Sequence, residues 1–361
     1  MARIDLSDLA HAYRADPKTP ADYALKKLDL SWRDGGAYAL LGPSGCGKTT
    51  LLNIISGLVH PSHGRVLFDG KDVTNLPTER RNIAQVFQFP VIYDTMTVAE
   101  NLAFPLKNRG VDRATIERRV ATIGEMLELT PLLSRNASGL TADLKQKISL
   151  GRGLVREDVA AILFDEPLTV IDPHLKWQLR TQLKRLHTQS RATMIYVTHD
   201  QTEALTFADM VVVMYDGEIV QIGPPQALFD QPEHTFVGYF IGSPGMNVLP
   251  ATVEGATARI DGTTVALGAH YAALPKAARI EIGVRPEHVR LTATGDGVPV
   301  EIVRIDDIGR LKVAKLSLAG RPLAAVLSEE SSLDGSTARA VFDPGRVHVY
   351  ADGRRVAGET A

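Results

Sequence analysis

Short apolar stretches alternate with polar turns over residues 1–37, the pattern of strands entering an antiparallel sheet. Residues 16–22, with Pro17 and Pro20, read as a loop set between two strands. An unbroken apolar run at 38–41 predicts a buried strand, and the run at 51–56 predicts a helix. Residues 64–74 read as a hairpin with Asp69-Gly70 at its turn, and 83–87 as a short strand ending at Gln88. The period then becomes helical across 98–155. Ile116, Val120, Ile123 and Leu127 fall on one helix face, with Asp112 placed as a cap. Dense apolar runs at 160–164, 194–198 and 210–215 have the length of buried strands. Between the first two, Leu175, Leu179, Leu183 and Leu186 mark one face of a helix. Residues 245–361 change character: short strands separated by Gly, Pro and Asp turns predict a small β-barrel.

Composition narrows the classes. The chain has 361 residues, 44% hydrophobic and 23% charged, enough for two domains and one core of enzyme size. Forty Lys and Arg against forty-two Asp and Glu give −2, without the basic excess of a nucleic-acid binder. The single cysteine, Cys46, excludes an internal disulfide and agrees with a reducing compartment. No apolar run approaches the ~18 residues of a membrane span, and residues 1–13 lack the apolar core of a signal peptide. The expectation is a cytoplasmic protein that meets a membrane only through a partner.

Candidate chemistry begins at residues 42–50, GPSGCGKTT, between the predicted strand and helix. Gly42, Pro43, Ser44, Gly45, Cys46 and Gly47 form a turn whose backbone N–H groups can face phosphate oxygens. Lys48 is placed for the β- and γ-phosphates, the Thr49 hydroxyl for magnesium, and Thr50 closes the motif at a helix start. The strand at 160–164 ends in Asp165 and Glu166, a carboxylate pair too costly to bury unless it faces water, metal or phosphate. After a phosphate loop, the first acid supports magnesium and the second polarises the attacking water. The strand at 194–198 delivers His199, a candidate γ-phosphate contact. Tyr13 is either a ring that stacks on adenine or a half-buried strand tyrosine.

The order of these motifs resembles the ATP-binding subunits of ABC transporters over about residues 3–240, and specifically the importer ATPases of the carbohydrate and polyol class. The resemblance implies an α/β fold. A RecA-like P-loop core with an antiparallel β-subdomain and a helical subdomain (about 90–158) would fill residues 1–240. An all-β oligonucleotide-binding-like domain (245–361) would serve dimerisation and regulation. It implies Tyr13 for adenine stacking, residues 42–50 as Walker A, Gln88 as the Q-loop, Asp165 and Glu166 as the Walker B acids, Asp172 in the D-loop and His199 as the switch. Glu166 would be the general base, assisted by His199 and Gln88, with Thr49, Gln88 and Asp165 about the metal. ATP and Mg2+ are the implied cofactors. The implied partners are a second ATPase, two transmembrane permeases and, indirectly, a solute-binding protein, with no nucleic acid.

One motif departs from the family. Where its LSGGQ signature belongs, this chain has Leu140, Thr141, Ala142, Asp143 and Leu144, aligned through Gln146, Lys147 and Arg152. Both glycines are lost, and Asp143 sets a negative charge where a phosphate should approach. Losing two charge-assisted donors weakens such a contact by about two to four powers of ten. A self-sufficient homodimer and a heterodimer with a different ATPase both remain open; the variant motif favours the second. Together with FQFPVIYDTMTVAENLAFP and YFIGSPGMN, it gives the chain its resemblance to one of the two non-identical ATPases of bacterial glycerol importers. Glycerol is the expected solute, with glycerol 3-phosphate or a sugar as the alternative. The rivals are a translation or DNA-repair ATPase, which would carry two cassettes or a long heptad insertion, and a regulatory subunit that binds ATP without hydrolysing it.

Overall fold

The computed structural model describes residues 2–359 apart from 273, 276, 310 and 328–334. The chain divides into two compact units, Met1–Pro225 and Gln226–Ala361. The first holds β1 (Ile4–His11), β2 (Leu25–Trp32), β3 (Ala37–Leu41), α1 (Lys48–Ser56), β4 (His63–Phe68), β5 (Lys71–Asp72) and β6 (Ala84–Val86). There follow α2 (Val98–Lys107), α3 (Arg113–Met126), α4 (Ala142–Leu154), β7 (Ile162–Asp165), α5 (Pro173–Ser190), β8 (Met194–Thr198), α6 (Gln201–Phe207), β9 (Met210–Tyr215) and β10 (Glu218–Gly223).

Two sheets organise this unit. The strands β2-β1-β4-β5 form an antiparallel sheet, whose tight β4–β5 turn places Asp69 and Gly70 at φ +49° and +77°. The order β6-β7-β8-β3-β9-β10 forms a second sheet, parallel except for β10. All residues of β3, β7 and β8 are buried, as expected of parallel strands covered on both faces. Leu40, Leu163, Ile195, Val197 and Val212 meet Leu51, Leu52, Ile54 and Ile55 of α1 in one core. On the other face Tyr196 packs between Phe164 and Phe207, with ring centroids 5.9 and 5.1 Å away.

The helical segment between β6 and β7 is α2, α3 and α4. Asp112 caps α3 by accepting the Thr115 N–H at 2.9 Å, and Ile116, Val120 and Ile123 are buried along it. Helix α2 starts with a capping box, Thr97 and Glu100. In α5 the buried face differs from the leucine stripe. Leu179 and Leu183 are buried, but Arg180 and His187 join them, while Leu175 and Leu186 are only half-buried. His187 is accommodated because its Nε2 lies 3.0 Å from the Gly35 carbonyl.

The second unit contains α7 (Pro225–Asp230), α8 (Thr235–Phe240), β11 (Asn247–Pro250), β12 (Thr252–Ile260), β13 (Thr263–Tyr271), β14 (Ile280–Val284) and β15 (Val289–Thr292). It continues with β16 (Val298–Asp307), β17 (Lys312–Leu318), β18 (Arg321–Leu327), β19 (Thr337–Phe342), β20 (His348–Ala351) and β21 (Arg354–Arg355). Among the described residues these strands pair as β11-β14-β20-β21, β12-β13 and β15-β19-β16-β17-β18, rather than as one continuous barrel sheet, and share one apolar core. The division at Pro225 comes earlier than the expected boundary at 240. Three groups hold 226–241 to the second unit. Arg285, 3% exposed, donates to the carbonyls of Leu228, Phe229, Gly238 and Ile241 and lies over the Phe229 ring; Tyr350 Oη donates to the Pro232 carbonyl, and His348 Nε2 meets that of Asp230.

Candidate active site

Strands β7, β8 and β3 are neighbours, paired with Asp165 beside Val197 and Thr198 beside Leu41. The residues that follow them, Glu166, His199 and Gly42, therefore leave the sheet at one level of its carboxyl edge, where open α/β sheets collect ligand groups. Residues 42–47 turn from β3 into α1. Gly47 has φ +101°, and a Cβ there would lie 2.5 Å from the Ala24 carbonyl; at Gly42 it would lie 2.3 Å from that of Met214. Only glycine fits either position. Gly47 also stands at the N-cap of α1, leaving the first N–H groups of the helix without a side-chain cap.

Within the loop, Lys48 is buried and its Nζ donates to the Gly42 and Pro43 carbonyls at 2.8 and 2.9 Å. Cys46 is buried 3.9 Å from that ammonium, and burial pushes its thiol above the usual range, so it packs as a small apolar group. Thr49 Oγ1 donates to Asp165 Oδ1 at 3.1 Å. Burial raises the Asp165 carboxyl, against the Thr49 hydrogen bond and the Lys48 charge. This is a hard oxygen pair suited to Mg2+, which takes most of its octahedral shell from phosphate and water and needs few protein ligands.

Glu166 is the point of convergence. It adopts φ +46°, in the left-handed region that a side chain of this size rarely takes. His199 Nδ1 lies 3.1 Å from Oε2, Thr169 Oγ1 donates to it at 3.3 Å and Gln88 Nε2 at 3.4 Å. Gln88 thus meets Glu166, one residue along from the Thr49–Asp165 pair. Tyr13 is 68% exposed on the loop after β1, which removes the half-buried strand alternative. Its hydroxyl is 3.1 Å from Thr50 Oγ1 and its ring stands edge-on to His11, centroids 4.6 Å apart. The ring is therefore fixed relative to the phosphate loop.

Residues 140–144 lie at the start of α4. Thr141 is its N-cap without a side-chain cap hydrogen bond, Thr141 and Ala142 are exposed, and Asp143 stands in the first turn. The Asp143 charge favours its own helix dipole and opposes an anion at the same place. Asp172 caps α5 by accepting the His174 N–H at 2.9 Å. Two residues make contacts that the sequence reading did not assign, Thr169 having been read only as part of the D-loop motif at 168–172. Thr169 reaches Glu166 from three residues on, a spacing set by the turn in which its N–H bonds the Glu166 carbonyl. Gln146, read only as an alignment anchor, donates to the Phe87 and Pro167 carbonyls at 3.1 and 2.8 Å, joining α4 to the segments that bear Gln88 and Glu166. Nothing in the local sequence marks that long-range link.

A phosphate loop, an acid pair and a histidine on adjoining parallel strands define a P-loop ATPase. The ABC transporter family model matches residues 25–169, and a MalK OB fold domain model matches 242–289. The sn-glycerol-3-phosphate import ATP-binding protein UgpC of Yersinia pestis is 38% identical over 358 residues, 97% of each chain. UgpC 3 of Rhizobium johnstonii is 44% identical over 292 residues, 81% of this chain and 79% of the relative. Among solved structures, a dimeric ATP-binding cassette in a post-hydrolysis state with ADP and Pi has TM-score 0.55 and 26% identity, covering 62% of this chain and 98% of that one. The cbiO1 structure of Clostridium perfringens has TM-score 0.57 and 26% identity, covering 63% and 90%. This chain belongs to the ABC transporter ATP-binding proteins, in the importer class that carries a MalK-type OB domain. It is an ATPase whose hydrolysis is coupled to import. Among the described residues, no helix is long and apolar enough to cross a membrane.

Proposed function

We propose that this chain powers import of glycerol 3-phosphate, as one of two ATP-binding cassettes at the cytoplasmic face of a membrane beneath a pair of permeases. The observation that carries the catalytic part is the convergence of Gln88, Thr169 and His199 on Glu166 Oε2, beside the Thr49–Asp165 pair. With ATP bound, the N–H groups of 42–47 and the Lys48 ammonium hold the phosphates, and Tyr13 stacks on adenine. Thr49 and Asp165 would hold Mg2+, which would neutralise charge on the phosphates. Glu166 accepts a proton from the attacking water, His199 fixes water and γ-phosphate, and Gln88 registers the nucleotide. Loss of phosphate reopens the pair of cassettes, a population shift that resets the permeases. The names of the relatives favour glycerol 3-phosphate over glycerol itself, the solute expected from the sequence.

A second reading concerns the partner. The start of α4 offers Ala142 and Asp143 where a facing cassette needs glycines, which supports pairing with a non-identical ATPase, whereas the likeness to the glycerol-3-phosphate import ATP-binding proteins lends a mixed pair no support. One experiment addresses both points: ATP turnover by this chain alone, and by the importer purified from membranes, with and without each solute. Slow turnover alone and stimulation of the complex by glycerol 3-phosphate are expected. Strong turnover by the isolated chain overturns the mixed pair, and stimulation by glycerol but not its phosphate overturns the solute.

A further inference from the structure

Behind His199 lies a carboxylate that the reaction above does not use. Glu203, on α6, is 4% exposed. A charge this deep is held only where donors surround it. Its Oε2 accepts the Thr198 hydroxyl at 2.8 Å and the Tyr196 hydroxyl at 3.1 Å, and Lys176 Nζ lies 3.7 Å from Oε1. Thr198 Oγ1 also accepts the Asp200 N–H at 3.0 Å. The Asp200 carboxylate, in turn, accepts the N–H groups of Thr202 and Glu203 at 2.7 and 3.3 Å.

These bonds close a ring around one residue. Thr198 precedes His199 and Asp200 follows it, and both neighbours are tied to Glu203. The His199 side chain stands outside the ring, half exposed, with Nδ1 3.1 Å from Glu166. Lys176 adds a link to α5, the helix that Asp172 caps. Burial and then the Glu203 charge raise the Tyr196 phenol well above its usual range, so it stays a donor. Both hydroxyls donate to the same oxygen, Oε2, so an amide of the same shape can keep them on its carbonyl oxygen, whereas Glu203→Leu leaves them no acceptor at this position.

We infer that Glu203 is a positioning residue for ATP hydrolysis: its buried carboxylate fixes the turn that carries His199, and so the placing of the imidazole against Glu166 and the γ-phosphate. The inference rests on the role proposed for His199. Displacing a reacting group by about 1 Å costs on the order of 100-fold in rate while leaving binding elsewhere intact. Glu203 should therefore act on turnover and not on ATP affinity, which is set at residues 42–50 and Tyr13.

The test uses the assembled importer and the variants E203L, E203Q, T198V, T198S and H199A, measuring kcat, KM for ATP and Tm. E203L and T198V should lower kcat by about 10–100-fold with KM within about threefold of the parent, while E203Q, which keeps one acceptor oxygen, and T198S, which keeps the hydroxyl, should recover most of the turnover. Wild-type kcat in E203L overturns the inference. A parallel loss of ATP affinity and Tm, without recovery in E203Q and T198S, also overturns it, because it shows Glu203 to be a fold residue only. If E203L does not fold, T198V and T198S read the same ring. H199A separates the two levels: full activity there removes the role of His199 itself, whereas an inactive H199A beside a fully active E203L removes only the role of Glu203.

Discussion

The surroundings of Glu166 hold it as the proposed general base requires. Its left-handed φ is costly for a side chain of this size and is retained where strain serves a site. The carboxylate then accepts from a hydroxyl and an amide and lies 3.1 Å from a histidine nitrogen, contacts that hold it aimed. Glu166→Gln preserves shape and removes the base. General-base catalysis is worth about 100- to 10,000-fold, so hydrolysis should fall by that amount while ATP stays bound. The position of Glu166 at a strand end was legible in the sequence, as the end of an apolar run. The contacts of Thr169, Gln146 and Glu203 were not, because each meets a partner chosen by the fold.

At the scale of elements, α4 is the informative helix. Its far end is tied into the molecule by Arg152, which donates to Asn101 and lies over the Tyr93 ring at 4.7 Å, while in its first turn Ala142 is exposed and Asp143 half-buried. The double substitution Ala142→Gly with Asp143→Gly should raise ATP turnover of the isolated chain by about tenfold or more, by restoring close backbone approach to a phosphate. It should lower Tm slightly, since glycine costs up to about 1 kcal/mol per helix position. Unchanged turnover in a folded protein would show that the signature does not limit activity. Elements with a single strong local signal were the readable ones: Met194–Thr198 and Met210–Tyr215 stand as the apolar runs predicted. The buried face of α5 was less readable, because Arg180 and His187 are buried through tertiary partners that periodicity ignores.

For the whole molecule, the boundary between units depends on side chains that reach back across more than a hundred residues, His348 to Asp230 and Tyr350 to Pro232. No composition shift at 225 could reveal them. His348 also gives the second unit a pH dependence. Burial, reinforced by the Arg355 charge, lowers its imidazole from 6.5 to about 4. Between those values the unfolded chain binds the proton and the folded unit does not. Stability is therefore complete above pH 6.5 and is lost as pH falls toward 4, by up to about 3 kcal/mol. His348→Gln keeps a donor for the Asp230 carbonyl and should flatten the Tm profile of the second unit in that window; an unchanged slope would assign the effect elsewhere.

The claim on which the rest depends is that this chain hydrolyses ATP at its own phosphate loop through Glu166. The direct measurement is ATP binding, ATP turnover and solute uptake by the assembled importer carrying Glu166→Gln in this chain. The account predicts retained ATP binding with turnover and uptake both reduced by about 100-fold or more. Uptake and turnover at the wild-type level would contradict it.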